Sequence, residues 1–490
     1  MNVSKKLHEA EGRERSGKNG VKKVHLIGIG GSGMSGIAEV LINSGYIVTG
    51  SDIEYSQTIE KLESIGGRVF IGHNPNNIED AEVVVYSTAI KDDNPELTEA
   101  RGRKLTVLRR AEMLSELLSL KKGIAVAGSH GKTTTTSMIS AVFGEAGIDP
   151  TFVVGGKVFG LGMHSKVGKG DYMVVEADES DGSFLKLKPD YCAVTNIDCE
   201  HLCYYGNMEN LKKAFTDFVN NIPFFGFAVL CADDPVLRSL FPEINKKYFT
   251  YGIEQKADYY ALNISLEMNS SNFDAYSGKK LIGKFNLSVP GIHNILNALS
   301  AIAMAKEFGI KTEFIREALK NFHGVERRFQ IKKSNDRLIV VDDYAHHPVE
   351  IAATLKAAKN WNRQIIAVFQ PHRYSRMKDL MDDFVNSLKL ADFVIITDVY
   401  SAGETAIEGI SSVSLSEKMK RDGYKNVFYV PNRKDIKSNL QNILRGGEMV
   451  IFLGAGDITK SCDDFVRSRI NSGKYAGEAA KKILAAQVNL

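Results

Sequence analysis

Two glycine-rich stretches carry the first chemistry legible in the chain. Gly28-Ile29-Gly30-Gly31-Ser32-Gly33 has the spacing G-x-G-x-x-G. Such glycines let the backbone approach a diphosphate, and the helix that follows offers free N–H groups to its charge. Asp52 stands at the tip of the next apolar segment, where dinucleotide-binding folds place an acid. The chemistry required is diphosphate binding. A nicotinamide or flavin dinucleotide, another diphosphate ligand and a purely structural tight turn all satisfy it.

The second stretch, Gly128-Ser129-His130-Gly131-Lys132-Thr133-Thr134, lies between an apolar run and a helical pattern. A backbone nest ending in Gly-Lys-Thr cradles nucleotide phosphates, the lysine reaching the β and γ oxygens and a threonine hydroxyl contacting Mg²⁺. The strict Walker spacing is not met, because Val126 stands where the first glycine would. A metal at such a loop needs acidic or imidazole ligands at neighbouring strand ends. Glu176, which closes Val174-Val175-Glu176, and His201, which follows Thr195-Asn196-Ile197, are the candidates. At least two of Asp178, Glu179 and Asp181 are expected to form a solvated acidic loop. Cys199, His201 and Cys203 alternate like one strand face and lack a fourth ligand at finger-like spacing, which disfavours zinc.

The elements that must position these residues follow from the alternation of β-branched strands and helical patterns, the signature of parallel sheets with helices on their faces. The expected fold class is α/β with three domains: an N-terminal Rossmann-like domain over 21–120, a central P-loop ATPase-type mixed sheet over 121–327 with a hairpin-like region from Asp258 to Val289, and a C-terminal Rossmann-like domain over 328–472. Residues 1–20 and 473–490 read as tails. The 490 residues suit about three domains. Lys and Arg number 62 against 59 Asp and Glu, a net charge of +3, so no global excess draws the chain to nucleic acid or anionic lipid. No apolar run reaches the roughly 20 residues of a membrane span. The first twenty residues lack the apolar core of a secretory signal and the five cysteines are unevenly spaced, so reduced thiols and a cytoplasmic location are expected.

Taken together, the motifs resemble those of the Mur ligases of bacterial cell-wall synthesis. The resemblance spans about Lys23 to Ser461. It rests on the two glycine loops, Val175-Glu-Ala-Asp-Glu-Ser-Asp181, Thr195-Asn-Ile197 with Glu200-His201, Gly291-Ile-His-Asn-Ile-Leu-Asn-Ala298, Gly324-Val-Glu-Arg-Arg-Phe329, Val341-Asp-Asp-Tyr-Ala-His-His-Pro348, Gln370-Pro-His-Arg-Tyr-Ser-Arg376, Val399-Tyr-Ser-Ala-Gly-Glu404 and Gly454-Ala-Gly-Asp457. It implies ATP-dependent joining of L-alanine to the carboxylate of UDP-N-acetylmuramate through an acyl phosphate. The alternative within the family is recycling of a preformed peptide onto the same nucleotide sugar.

The resemblance implies a site for each substrate. Gly28, Gly30, Gly31, Gly33, Ser35, Asp52, His73 and Ser87 would hold the UDP-sugar. Gly128 through Thr134, with Asn294, Asn297, Arg328 and Asp343, would hold ATP. Tyr344, His346, Arg373 and Arg376 would form the amino-acid pocket, the two arginines sharing one face at a helix start. Thr133 and Glu176 would bind one Mg²⁺ and His201 a second, with Mn²⁺ as a substitute, and Lys132, Glu176, His201 and His346 would be catalytic. The expected assembly is a monomer or homodimer. Two departures from the family pattern stand out: Glu200-His201-Leu202-Cys203 replaces Asp-His-x-Asp, and Thr405-Ala406 stands where a proline usually follows the glutamate.

Overall fold

Strands of five or six apolar residues, too hydrophobic to leave either face in water, set the architecture. The computed structural model describes residues 22–87, 89–158, 163–199 and 201–467. The two expected tails, Glu200 and the side chain of Cys203 lie outside the described residues. Three sheets are present.

The first sheet holds β1 (Lys23–Ile27), β2 (Ile47–Asp52), β3 (Arg68–Ile71), β4 (Val83–Tyr86) and β5 (Thr106–Arg109), ordered β3-β2-β1-β4-β5. All neighbours are parallel. The direction in which successive strands are added reverses across the pair β1–β4, so the loops at their carboxyl ends diverge and leave a crevice, the general ligand position of open parallel sheets.

The second sheet begins with β6 (Lys122–Ala127), β7 (Thr151–Val158), β8 (Met163–Lys166), β9 (Tyr172–Glu176), β10 (Tyr191–Val194) and β11 (Phe227–Cys231), ordered β11-β10-β6-β9-β7-β8. Strand β6 is central and parallel to both β9 and β10, with Val126 opposite Glu176 and Ala127 opposite Val194. The carboxyl ends of these three strands therefore lie side by side.

The chain divides into two compact units, the break falling at Thr250/Tyr251, inside β12 (Tyr248–Gly252). In the second unit the hairpin-like region is an antiparallel meander of β13 (Tyr259–Leu266), β14 (Ser271–Ser277) and β15 (Lys280–Leu287), followed by helices Ile292–Glu307 and Thr312–Lys320.

The third sheet, in the same unit, runs β16-β17-β21-β18-β19-β20, from β16 (Gln330–Asn335), β17 (Leu338–Asp343), β18 (Ile365–Phe369), β19 (Phe393–Ile396), β20 (Val427–Tyr429) and β21 (Glu448–Leu453). Only β16, a polar edge strand, is antiparallel to its neighbour. Alternate residues of the central strands feed two cores: Val341, Phe369 and Ile451 on one face, Val340, Val368 and Phe452 on the other. The sheet changes between Leu118 and Lys122 and again between Lys320 and Gln330, so the three sheets correspond to three α/β domains.

Candidate active site

The loop after β6 turns so tightly that only glycine fits its first position. Gly128 has φ +131°, and a methyl group there would lie 2.1 Å from Thr195 Oγ1 and 3.0 Å from the Asn196 carbonyl oxygen. Gly131, at φ +81°, opens the helix Lys132–Glu145. The neighbouring strand end holds the loop in shape. Asn196 Oδ1 accepts from His130 N at 2.8 Å, Thr195 Oγ1 donates to the His130 carbonyl at 2.6 Å, and Ser129 Oγ accepts from Asp198 N at 2.8 Å. Asp198, whose carboxylate also lies 3.0 Å from His130 Nε2, had no separate signal in the sequence.

Lys132 bends back over this loop. Its Nζ donates to the carbonyls of Gly128 (2.6 Å) and Ser129 (3.1 Å) and pairs with Glu179 at 2.8 Å. Burial opposes the ammonium charge, but Glu179, Asp178 and Glu176 outweigh it and raise its pKa above the usual lysine range. Burial pushes the Glu179 carboxyl up to about 7, with Lys132 pulling it down and Asp178 pushing it further up. Asp178 is lowered, because Lys132 and Arg110 outweigh its own burial. Of the three acids Asp178, Glu179 and Asp181, only Glu179 is buried; the Asp178 side chain is 40% exposed and Asp181 is half-buried. Glu179 is 1% exposed, its carbonyl covered by the Tyr205 hydroxyl at 2.5 Å, and Asp181 caps the turn at Ser183 with a 3.0 Å bond.

Thr133 and Glu176 come together from separate elements. Thr133 Oγ1 donates to Glu176 Oε2 at 2.9 Å, and Gly155 N donates to the same oxygen at 2.9 Å. His201 follows β10 with a positive φ of 60°, and its carbonyl opens the short helix Leu202–Tyr205 by accepting from Tyr204 N at 2.9 Å.

In the first sheet, a cavity of about 770 Å³ lies at the carboxyl ends of the strands and is lined by Gly28, Gly30, Gly31, Asp52, His73 and Ser87 among others. Asp52 accepts from Gly30 N at 2.8 Å, so it braces the glycine turn as well as facing the cavity. Gly33 and Ser35 lie outside that lining: Ser35 is 4% exposed within the helix, and Gly33 lies against Arg110. Arg110 is the residue that sequence reasoning missed altogether. A methyl group on Gly33 would stand 2.6 Å from its Nη1, and its Nη2 lies 3.5 Å from Asp178. One guanidinium therefore spans from the first glycine loop to the acidic loop that secures Lys132.

The remaining expected residues lie in the second unit. Asn294 and Asn297 are buried three apart on one helix, Asn294 Nδ2 bonded to the Pro290 carbonyl at 2.7 Å. Arg328 bonds Glu350 at 3.3 Å and lies 5.2 Å from the Tyr344 ring centre. Asp343 is turned inward. It is 4% exposed, accepts from Phe329 N, Ala345 N and Thr354 Oγ1 at 2.7, 2.7 and 3.1 Å, and burial pushes its pKa up to about 6. It ties the Arg328 segment to β17 rather than presenting an open carboxylate.

The rings of Tyr344, His346, His372 and Tyr400 form a continuous series with neighbouring centres 5.3 to 5.6 Å apart. Arg376 Nη1 approaches His372 Nδ1 at 3.4 Å. Burial, with His346 and the two arginines adding to it, drives His372 down to about 3. Arg373 is not on the helix with Arg376; it precedes Tyr374–Asp379 at φ +69°, so the expectation of one shared helical face is not met. Glu404 fixes the helix start instead, accepting from Ser375 Oγ at 2.7 Å and Ser375 N at 3.1 Å. His347 caps the helix that begins at Pro348, where Glu350 accepts the His346 and His347 amides at 3.1 and 3.4 Å.

Comparison with known proteins fits this arrangement. The Mur ligase family catalytic domain matches residues 23–131, the Mur ligase middle domain residues 126–305, and the Mur ligase glutamate ligase domain residues 327–456. The chain belongs to the Mur ligase family. Among its relatives, the UDP-N-acetylmuramate–L-alanine ligase of Syntrophotalea carbinolica is 48% identical over 89% of this chain and 96% of that one. The enzyme of the same name from Geobacter sulfurreducens is 48% identical over 91% and 97%. The solved UDP-N-acetylmuramate-alanine ligase of Thermotoga maritima has a TM-score of 0.79 at 31% identity, covering 92% of this chain and 100% of that one. A murein peptide ligase from Psychrobacter arcticus shares the fold, with a TM-score of 0.70 at 24% identity over 92% and 100%.

The tight turn at Gly128 should not tolerate a side chain. Gly128→Ala is expected to lower stability by about 3 kcal/mol through overlap and backbone strain, read as an earlier thermal transition; an unchanged transition would contradict the turn geometry. Lys132→Ala should keep the far-ultraviolet circular dichroism of the parent while ATP turnover falls by roughly a thousandfold, as for loss of a transition-state charge contact.

Proposed function

We propose that the protein is an ATP-dependent ligase that joins L-alanine to the lactyl carboxylate of UDP-N-acetylmuramate in peptidoglycan precursor synthesis, in the cytoplasm. The observation that carries the reading is the link from one phosphate-type loop to another: the Gly28–Gly33 turn, Arg110, Asp178 and Glu179, and Lys132 form one contiguous series. Two separate phosphate beds are what a nucleotide sugar and an energy donor require. The 48% identity to relatives named for this activity supports the choice of substrates, whereas the peptide-recycling alternative rests on likenesses of 24% and 27%.

A carboxylate is a poor electrophile, and phosphoryl transfer makes it reactive. The lactyl carboxylate attacks the γ-phosphoryl in line to give an acyl phosphate, and the alanine amine then displaces phosphate at the acyl carbon. Positioning and charge supply most of the rate. In this reading the amides from Ser129 to Thr134 cradle the ATP phosphates, and Lys132 leaves the Gly128 and Ser129 carbonyls to meet the γ oxygens. Asn294 and Asn297 face the adenine, and Arg328 the phosphates.

Thr133 and Glu176, whose oxygens lie 2.9 Å apart and are hard ligands of the kind Mg²⁺ takes, would hold one divalent cation, and His201 a second. When bound, the cations would draw charge from the phosphoryl oxygens. On the acceptor side, Arg373 and Arg376 hold the alanine carboxylate beside Tyr344. His346 Nδ1 lies 3.1 Å from both the Tyr344 carbonyl and Glu350, an arrangement that places the ring proton on Nδ1 and leaves Nε2 to accept a proton from the amine.

ADP formation is expected only when UDP-N-acetylmuramate, L-alanine and a divalent cation are present together. Turnover of ATP without either acceptor would end the ligase reading. Offered L-alanine, glycine, L-serine and a tripeptide in parallel, the enzyme should favour L-alanine, and a preference for the tripeptide would select peptide recycling instead. Glu176→Gln should raise the Mg²⁺ concentration needed for half-maximal rate by about 10- to 100-fold, the range typical of damaged metal sites.

A further inference from the structure

Beneath the nucleotide-sugar cavity lies a carboxylate that the proposed mechanism does not use. Glu96, at the start of helix Pro95–Gly102, is 0% exposed. Isolated carboxylates do not survive such burial unless several donors compensate them. Here one oxygen accepts from Asn77 Nδ2 at 2.6 Å and Asn74 N at 3.1 Å, and the other from Ser51 Oγ at 2.5 Å and His25 Nε2 at 3.3 Å. Burial pushes the Glu96 carboxyl up, but the bonds from His25, Ser51 and Asn77 outweigh it and hold the group below its ordinary range.

The serine hydroxyl carries one proton, and the 2.5 Å bond commits it to Glu96. Ser51 Oγ therefore acts as an acceptor towards His73 Nδ1, 3.0 Å away, while Glu96 Oε2 stands 3.7 Å from the same nitrogen, beyond hydrogen-bond length. That bond places the Nδ1 proton on the His73 ring and turns its Nε2 edge away from Ser51. His73 itself lines the cavity, together with Asn94 and Pro95, which lead into the Glu96 helix. The Ser51 carbonyl meanwhile accepts from the Gly28 and Ile29 amides at 2.8 and 3.0 Å, so the same residue joins the glycine turn to the histidine.

We propose that Glu96 is a positioning residue for nucleotide-sugar recognition: acting through the Ser51 hydroxyl, it fixes the tautomer and orientation of His73 so that Nε2 faces the ligand. This rests on the reading of the cavity as the UDP-N-acetylmuramate site. Glu96 makes no contact with the ligand and takes no part in phosphoryl transfer. Its effect is on affinity for one substrate.

The test uses the full-length protein, with UDP-N-acetylmuramate binding followed by calorimetry and steady-state rates measured in parallel. Ser51→Ala and Glu96→Gln should each raise the Kd and KM for the nucleotide sugar about tenfold, the size of one lost charge-assisted bond. The KM for ATP and the kcat at saturation should hold. His73→Ala should cost as much alone, and combining it with Ser51→Ala should add little, because both remove the same contact. Wild-type affinity in Ser51→Ala, or penalties that add fully with His73→Ala, would overturn the proposal. Should Glu96→Gln fail to fold, Ser51→Ala decides the matter, since it leaves Glu96 its bonds from His25, Asn74 and Asn77. A parent protein with no affinity for the nucleotide sugar would instead refute the functional reading itself.

Discussion

A lysine ammonium taken almost wholly out of water is the constraint around which the central domain is arranged. Lys132 needs oxygen ligands on every donor, and it finds them in two carbonyls of its own loop and the Glu179 carboxylate. The carbonyls point inward only because Gly128 adopts a left-handed turn beside Thr195, and the carboxylate is present only because β9 neighbours β6. A point charge held in this way stays ionised although buried, and an anion arriving at the loop has only to exchange for oxygen partners already in place. The same pairing explains why Glu179 is packed rather than solvated: its charge completes the coordination of the lysine.

The strand orders make this possible without any long-range design in the loops themselves. In each parallel sheet the functional residues sit at carboxyl ends, where loops emerge on one edge. The cavity residues Gly28, Asp52, His73 and Ser87 come from four successive strand ends of the first sheet. Thr133, Glu176 and Thr195 come from three adjacent strands of the second. Asp343, His372 and Tyr400 follow β17, β18 and β19. Residues far apart in sequence meet because neighbouring parallel strands deliver them to the same height.

That rule also separates what was legible in the sequence from what was not. Gly128, Lys132, Thr133 and Glu176 could be read because their chemistry is local: a glycine turn, a cation and an acid at a strand end. The alternation of strands and helices revealed three α/β domains, and Pro348 marked a helix start. Strands β5, β7, β8, β12 and β16 carry little signal in the sequence, being short, glycine-containing or polar at a sheet edge. Arg110, Asp198 and His372 have no local signature, since each acquires its role from a partner on another strand. Arg373 was placed on a helix because a three-residue spacing says nothing about its positive φ of 69°. Four acids in six residues resemble a solvated loop, and the sequence does not say which of them is the buried one; Glu179 is singled out by its pairing with Lys132.

Glu96 and Glu179 show why burial alone does not decide a carboxylate's role. Both are essentially inaccessible, at 0% and 1% exposure, yet Glu96 is held below the ordinary range while Glu179 is pushed up to about 7. Glu96 receives donors on both oxygens from four different residues. Glu179 shares the single Lys132 cation with Asp178 and Glu176, and Asp178 adds its own repulsion. A carboxylate satisfied from all sides is a fixed strut, suited to orienting a neighbour such as Ser51. One whose strong partner is a single shared cation is held less firmly, because any anion reaching the loop competes for that cation. The two glutamates therefore differ in kind: Glu96 is a fixed part of the frame beneath the first-sheet cavity, and Glu179 is the counter-charge of Lys132.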